Sequence, residues 1–213
     1  MLKITRMDNS VSGIVSYLAA EKKIQGYYLS PQEERGHWSE SMKVFGLHGT
    51  VDENDFRHIL TGRFPESFAK LSKQYAESYP EFVKSSTLKS GEVKRRTPTA
   101  GDKIFSSGRV DGTHRTGWDL TFSAPKSVSI AWASKDKNFR RQVEQAHDQA
   151  VEATMQIIQR EFAGEWCRQK GKNGSIKKVS CEQIYYSKFH HKTSRDLDPA
   201  LHTHTILFNI GKR

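Results

Sequence analysis

Two segments rich in β-branched and aromatic residues, EQIYYSKFHHK (182–192) and ALHTHTILFNI (200–210), stand on either side of the turn-rich TSRDLDP. Runs of this composition separated by so few turn-forming residues are expected to pair as an antiparallel hairpin. That constraint places chemistry as well as chain. His202 and His204 are two positions apart, and the period of a strand puts both imidazoles on one face. The partner strand brings a third histidine within reach, either His190 or His191; parity cannot choose until the register is known. Three neutral imidazoles on one face can bind a divalent cation and leave coordination positions open. Metal-assisted phosphoryl chemistry needs that opening, because the cation must reach a non-bridging phosphate oxygen. An H-x-H pair by itself is more often packing or surface histidine, so the third ring carries the weight. Asp119, at the head of the strand-like WDLTF, is a candidate to accept the second ring N–H of one of these histidines.

The rest of the chain reads as mixed α and β. LKITRM alternates as a short strand, and Asp8, Asn9 or Ser10 can cap a helix carrying Ile14, Val15 and Leu18, with Tyr17 on or near it. VDENDFRHILTG predicts a short helix capped by Asp52, with Phe56, Ile59 and Leu60 inward and Gly62 and Pro65 as stops. From about 67 to 117 the apolar pattern fades, predicting a largely irregular, flexible surface insertion. WDLTF and SVSIAWA, on either side of SAPK, are both expected as central strands. In KNFRRQVEQAHDQAVEATMQIIQREFAG, Phe139, Val143, Ala146, Ala150, Ile157 and Phe162 define the inward stripe of a long helix, and Gly164 stops it. An Asn173-Gly174 turn joins basic flanks as a further hairpin. Strands and helices without regular βαβ alternation indicate an α+β fold with an antiparallel sheet.

With 213 residues the chain is expected to be one domain with insertions. Its 34 Lys+Arg against 24 Asp+Glu, a net charge of +10, favour a polyanionic partner, nucleic acid first. The two cysteines have no zinc-type spacing and suggest a reducing compartment, the cytoplasm. No apolar run approaches the roughly 18 residues of a membrane span, and the N-terminus lacks a signal-peptide core, so no membrane insertion is expected.

A metal of this kind can activate water or assist a protein nucleophile, and an early tyrosine cluster, SYLAAEKKIQGYY, brings the second choice into view. Three blocks then carry a resemblance: FGLHGTVDENDFRHILTGRFP (45–65), WDLTFSAPKSVS (118–129) and HKTSRDLDPALHTH (191–204). In content and order they resemble the relaxase domain of the MobF family of conjugative relaxases, over nearly the whole chain except the 67–117 region.

The resemblance implies an HUH-type fold, an antiparallel β-sheet flanked by α-helices. It implies site- and strand-specific nicking of DNA at a plasmid origin of transfer by tyrosine transesterification, with a covalent 5′-phosphotyrosyl link and a free 3′-hydroxyl. His191, His202 and His204 match the metal-binding triad, which selects His191 over His190. Asp119 matches the carboxylate paired with a triad histidine and is a candidate proton acceptor. Tyr17 matches the first nucleophilic tyrosine, and Tyr27 and Tyr28 the second pair. The family's ion is usually Mg2+ or Mn2+; three imidazoles by ligand preference also suit Zn2+. Implied partners are single-stranded or hairpin DNA, relaxosome accessory proteins and a type IV secretion coupling protein, in a bacterial cytoplasm. The chain departs from the family pattern in having Tyr17-Leu18 where others have adjacent tyrosines, and in a longer 67–117 segment. It also stops at Arg213, so the C-terminal part of the domain and any helicase region are expected to be missing.

For DNA contact, the basic hairpin with Arg168, Lys170, Lys172, Lys177 and Lys178 is a candidate, with Lys94, Arg95 and Arg96 in the insertion. Lys126, and Arg195 in the turn between the histidine strands, are further candidates. Two other readings use the same residues: a nuclease that activates water on the metal, and a DNA-binding module that cuts nothing.

Overall fold

The computed structural model describes residues 1–7, 13–14, 36–70, 84–87, 90–104, 116–163, 167–170, 173, 175–194 and 196–212. Strand β1 (Leu2–Met7) is where the alternation of LKITRM puts it. Of the helix expected next, Gly13 and Ile14 are helical and Ile14 is buried; Val15, Tyr17, Leu18, Tyr27 and Tyr28 lie outside the described residues. After the short β2 (His37–Trp38), a 3-10 helix, Glu40–Phe45, ends at Gly46, whose φ of 74° is a left-handed position that glycine fills without strain.

Helix α1 (Glu53–Leu60) follows its sequence signals. Asp52 accepts from the backbone N–H groups of Asn54 and Asp55, and Phe56, Ile59 and Leu60 are buried. Asp55, itself buried, accepts from the N–H of Glu66 at 2.7 Å, and so caps the neighbouring α2 (Glu66–Lys70). Among its described residues, the 67–117 segment carries some regular structure. It contains a two-stranded hairpin, β3 (Lys84–Thr87) with β4 (Val93–Arg96), and a return stretch in which Ile104 is buried and its N–H bonds to Gly62 O. KSST and VKRR lack the apolar alternation that announces a strand, so backbone pairing left no sequence signal there.

Five strands form the main sheet, all antiparallel, in the order β1-β5-β9-β8-β2, with β5 at Gly117–Ser123, β8 at Gln183–Thr193 and β9 at Pro199–Lys212. WDLTF is therefore a central strand. At its start Gly117 has φ 155°, and a Cβ there would lie 2.1 Å from Leu207 O, so the strand can approach β9 only because this residue has no side chain.

SVSIAWA is not a strand. Residues Lys126–Ser134 form helix α3, following Pro125. Both edges of β5 are already taken by β1 and β9, and proline supplies no ladder donor while favouring a helix start. The alternation of Val128, Ile130 and Trp132 misleads because Val128 and Ile130 are simply exposed.

Helix α4 (Lys137–Ile157), capped by Asp136, runs into a π-helical turn at Ile158–Phe162. Its buried apolar residues are Val151, Met155 and Ile158, whereas Ala146, Ala150, Ile157 and Phe162 from the expected stripe are exposed. The buried face lies about a third of a turn round from that stripe. The sheet surface beneath explains the shift: Tyr186 donates to Glu152 at 2.8 Å, and Lys188 lies 3.2 Å from Asp148 and 3.3 Å from Glu152. A polar strand face selects a polar helix face. A separate hairpin, β6 (Cys167–Lys170) with β7 (Ile176–Val179), turns around Asn173.

The core lies on both faces of the sheet. Under α4 it holds Leu120, Phe122, Val151, Met155, Ile158 and Leu207. On the other face the 3-10 helix, α1 and α2 cover Tyr185, Phe189, Ile206 and Phe208. Each fully buried side chain of this size contributes about 1.5–3 kcal/mol, which holds the β8–β9 pair rigid between two packed layers.

Candidate metal centre and its surroundings

The register of β8 with β9 sets His191 directly opposite His202 and Phe189 opposite His204. In an antiparallel pair, directly opposed residues share a face, so His191, His202 and His204 stand together and His190, paired with Thr203, faces α4. The ring centroids of the three are 5.2, 5.1 and 5.2 Å apart. Three imidazoles meeting one ion at about 2.1 Å with near-tetrahedral angles would have centroids roughly 5 Å apart, so the spacing fits a common ion. Among the described residues no group of three His, Cys, Asp or Glu side chains already has its donors gathered to hold an ion. The backbone therefore supplies the proximity, and rotation of the rings would supply the final aim.

Two of the three rings are oriented from behind. His204 Nδ1 lies 2.8 Å and 3.0 Å from the two carboxylate oxygens of Asp119, and its side chain is only 6% exposed. His202 Nδ1 lies 2.7 Å from Ala200 O. A carbonyl can only accept, so His202 carries its proton on Nδ1; the Asp119 carboxylate favours the same on His204. In that tautomer Nε2 is the ring nitrogen whose lone pair can serve a metal. Asp119 reaches His204 because β5 pairs with β9, with Thr121 opposite His204 and Asp119 two residues away on the same face. Thr121 Oγ1, 3.4 Å from His204 Nδ1, is a neighbour that the sequence reading missed, although its spacing from Asp119 marks it.

The other candidates are distributed differently. Lys126 donates to Pro199 O at 3.2 Å and lies 3.5 Å from Asp198, so it tethers the turn between the histidine strands. In that turn Leu197 adopts φ 64°, a left-handed conformation stabilised by its N–H bond to Ser194 O. Arg195 and Lys172 lie outside the described residues. The register pairs Arg168 with Lys178 and Lys170 with Ile176, and the Lys177 and Lys178 side chains are exposed. Lys94 and Arg96 are exposed on β4, where Arg95 pairs with Ser85, and Arg96 forms a two-pronged ion pair with Asp102 at 2.6 and 2.9 Å.

Neither described tyrosine suits nucleophilic attack. Tyr185 is 2% exposed in the core, and burial together with the Glu152 carboxylate pushes the Tyr186 phenol well above its ordinary range. On the same side of the sheet, His190 Nδ1 and His147 Nε2 both lie 3.0 Å from Thr203 Oγ1. Burial lowers both imidazoles, His190 to about 4. Nothing in the sequence reading anticipated this second cluster.

One face of the five-stranded antiparallel sheet, backed by helices, thus carries three histidines and a carboxylate together. The family model described as "TrwC relaxase" matches residues 11–213, and the chain belongs to that family. The chain is 31% identical over 186 residues to the multifunctional conjugation protein TraI of Escherichia coli, a match covering 86% of this chain and 8% of TraI. It is 28% identical to solved structures of the conjugative relaxase TrwC in complex with oriT DNA, one metal-free and one metal-bound. Each superposes with a TM-score of 0.63 over 100% of this chain, which spans 57% and 58% of the respective TrwC chains. Among the described residues no helix is long and apolar enough to cross a membrane.

Proposed function

We propose that this chain is the strand-nicking part of a conjugative relaxase, with single-stranded or hairpin DNA from an origin of transfer as substrate. The observation that carries the reading is the triad of imidazoles at mutual centroid distances of 5.1–5.2 Å, two of them with Nδ1 engaged from behind, in a TrwC-family chain. The family resemblance implies Mg2+ or Mn2+, while three imidazoles by ligand preference suit Zn2+.

In the mechanism we infer, the Tyr17 phenolate attacks the scissile phosphorus. An O–P bond forms to the tyrosine, the bond to the 3′ oxygen breaks, and the leaving oxygen ends as a 3′-hydroxyl. The 5′ end remains on Tyr17. His191, His202 and His204 would hold the ion, and Asp119 would keep His204 in its ligating tautomer and is a candidate to receive the phenol proton. A divalent cation, when bound, supplies positive charge to a non-bridging phosphate oxygen. Attack by an incoming 3′-hydroxyl reverses the step and reseals a strand, and Tyr27 and Tyr28 are the candidates for a second transfer. In the cell the reading places the chain in the bacterial cytoplasm with relaxosome accessory proteins and a secretion coupling protein.

The test is incubation of a labelled single-stranded origin oligonucleotide with Mn2+, then denaturing electrophoresis of wild type and Tyr17→Phe. A protein-linked label lost in Tyr17→Phe is the expected result. Cleavage with no linked label in the wild type would replace the reading with a hydrolytic nuclease, and an adduct undiminished in Tyr17→Phe would move the nucleophile to Tyr27 or Tyr28.

A further inference from the structure

Each stretch of backbone that carries a triad histidine is gripped from the opposite face of the sheet by α4. His191 is flanked by His190 and Lys192; His190 Nε2 lies 3.7 Å from Asp148 Oδ1, and Lys192 Nζ lies 3.3 Å from Glu144 Oε1. Thr203 sits between His202 and His204, and its hydroxyl receives His147 from α4 and His190 from β8, both at 3.0 Å. A hydroxyl has one proton to give, so at least one of these imidazoles donates into Oγ1, and the hydroxyl is engaged from two elements at once. The bridge therefore ties β8, β9 and α4 at a single atom, one residue from each of the three metal-ligand candidates.

We propose that the His147–Thr203–His190 bridge is a positioning device for the metal triad, setting the register and tilt of β8 against β9 at the point where His191 faces His202. The proposal rests on the reading of the triad as metal ligands. Successive side chains on a strand point to opposite faces of one backbone, so a rotation of Thr203 swings His202 and His204 the other way. The arrangement also explains why α4 turns His147, Asp148 and Glu144 toward the sheet and leaves its alanine stripe to solvent. Groups bonded directly to ligand histidines carry a roughly 10- to 100-fold effect on metal affinity, so a bridge that acts through the backbone is expected at or below about 10-fold.

The experiment is calorimetric titration of Mn2+ into wild type, Thr203→Val and Thr203→Ser, with thermal unfolding of each in chelator. Thr203→Val keeps the shape and removes the hydroxyl; it is expected to weaken Mn2+ binding by up to about 10-fold, with Thr203→Ser restoring most of it. Binding by Thr203→Val at wild-type affinity, even with lowered thermal stability, overturns the proposal, because a merely structural bridge moves the melt and not the affinity. If Thr203→Val does not fold, His147→Gln takes its place with the same expected loss and the same overturning result. Absence of Mn2+ binding to the wild type would instead overturn the metal reading of the triad, and the proposal with it.

Discussion

His204 and Asp119, 85 residues apart in sequence, meet through both carboxylate oxygens at 2.8 and 3.0 Å, with the histidine nearly buried and the aspartate side chain 15% exposed. The contact does two things. It holds the proton on Nδ1, and it places negative charge behind the ring, which makes Nε2 a better donor to a cation.

Asp119→Asn is therefore expected to weaken divalent-metal binding by about 10- to 100-fold while leaving the fold in place, since the amide is nearly isosteric and its oxygen can still accept one hydrogen bond. Calorimetric titration with Mn2+ measures it, and circular dichroism checks the fold. Unchanged affinity would remove Asp119 from the metal site.

The Arg96–Asp102 pair makes a pH-dependent contribution to stability. The guanidinium holds the Asp102 carboxyl well below its usual 3.8, so the contribution is complete above that value and is lost as pH falls through the lower, folded-state value. Arg96→Gln should lower the melting temperature by a few degrees at most near neutrality, because the pair is partly solvent-screened, and the gap to wild type should begin to narrow below about pH 3.8 and close in strong acid. Melting curves across acidic pH decide it; a gap that persists in strong acid assigns the arginine's effect to something other than the pair.

Lys177 and Lys178 test the β6–β7 hairpin as a DNA contact. If both meet phosphates of a single strand, replacing the two by alanine should reduce the slope of log affinity against log salt by about 1.4, roughly 0.7 for each charge. Binding of the origin oligonucleotide at several salt concentrations gives the slope. An unchanged slope discards the hairpin.

Much of the site was legible because its chemistry depends on period and chain order. The H-x-H pair had to share a face once its segment was a strand, and a short turn had to bring the preceding histidines alongside. Local signals were equally sufficient for α1, where a capping aspartate and three apolar residues at helical spacing agree with the tertiary environment. They failed at Lys126–Ser134, where alternation imitates a strand but the preceding β5 is already paired on both sides and Pro125 favours a helix start.

The sequence by itself determined the antiparallel hairpin, the placement of His202 and His204 on one face, and the family, since each follows from local pattern and residue order. The choice of His191 over His190 by geometry belonged to the tertiary structure, because a one-residue change of register exchanges the two faces of a strand. So did the buried side of α4. A helix shows every face to the reader of its sequence, and only the polar surface of β8 and β9 beneath it selects Glu144, His147 and Asp148 over the alanine stripe. Period and order are properties of the chain; which surfaces meet is a property of the packed whole.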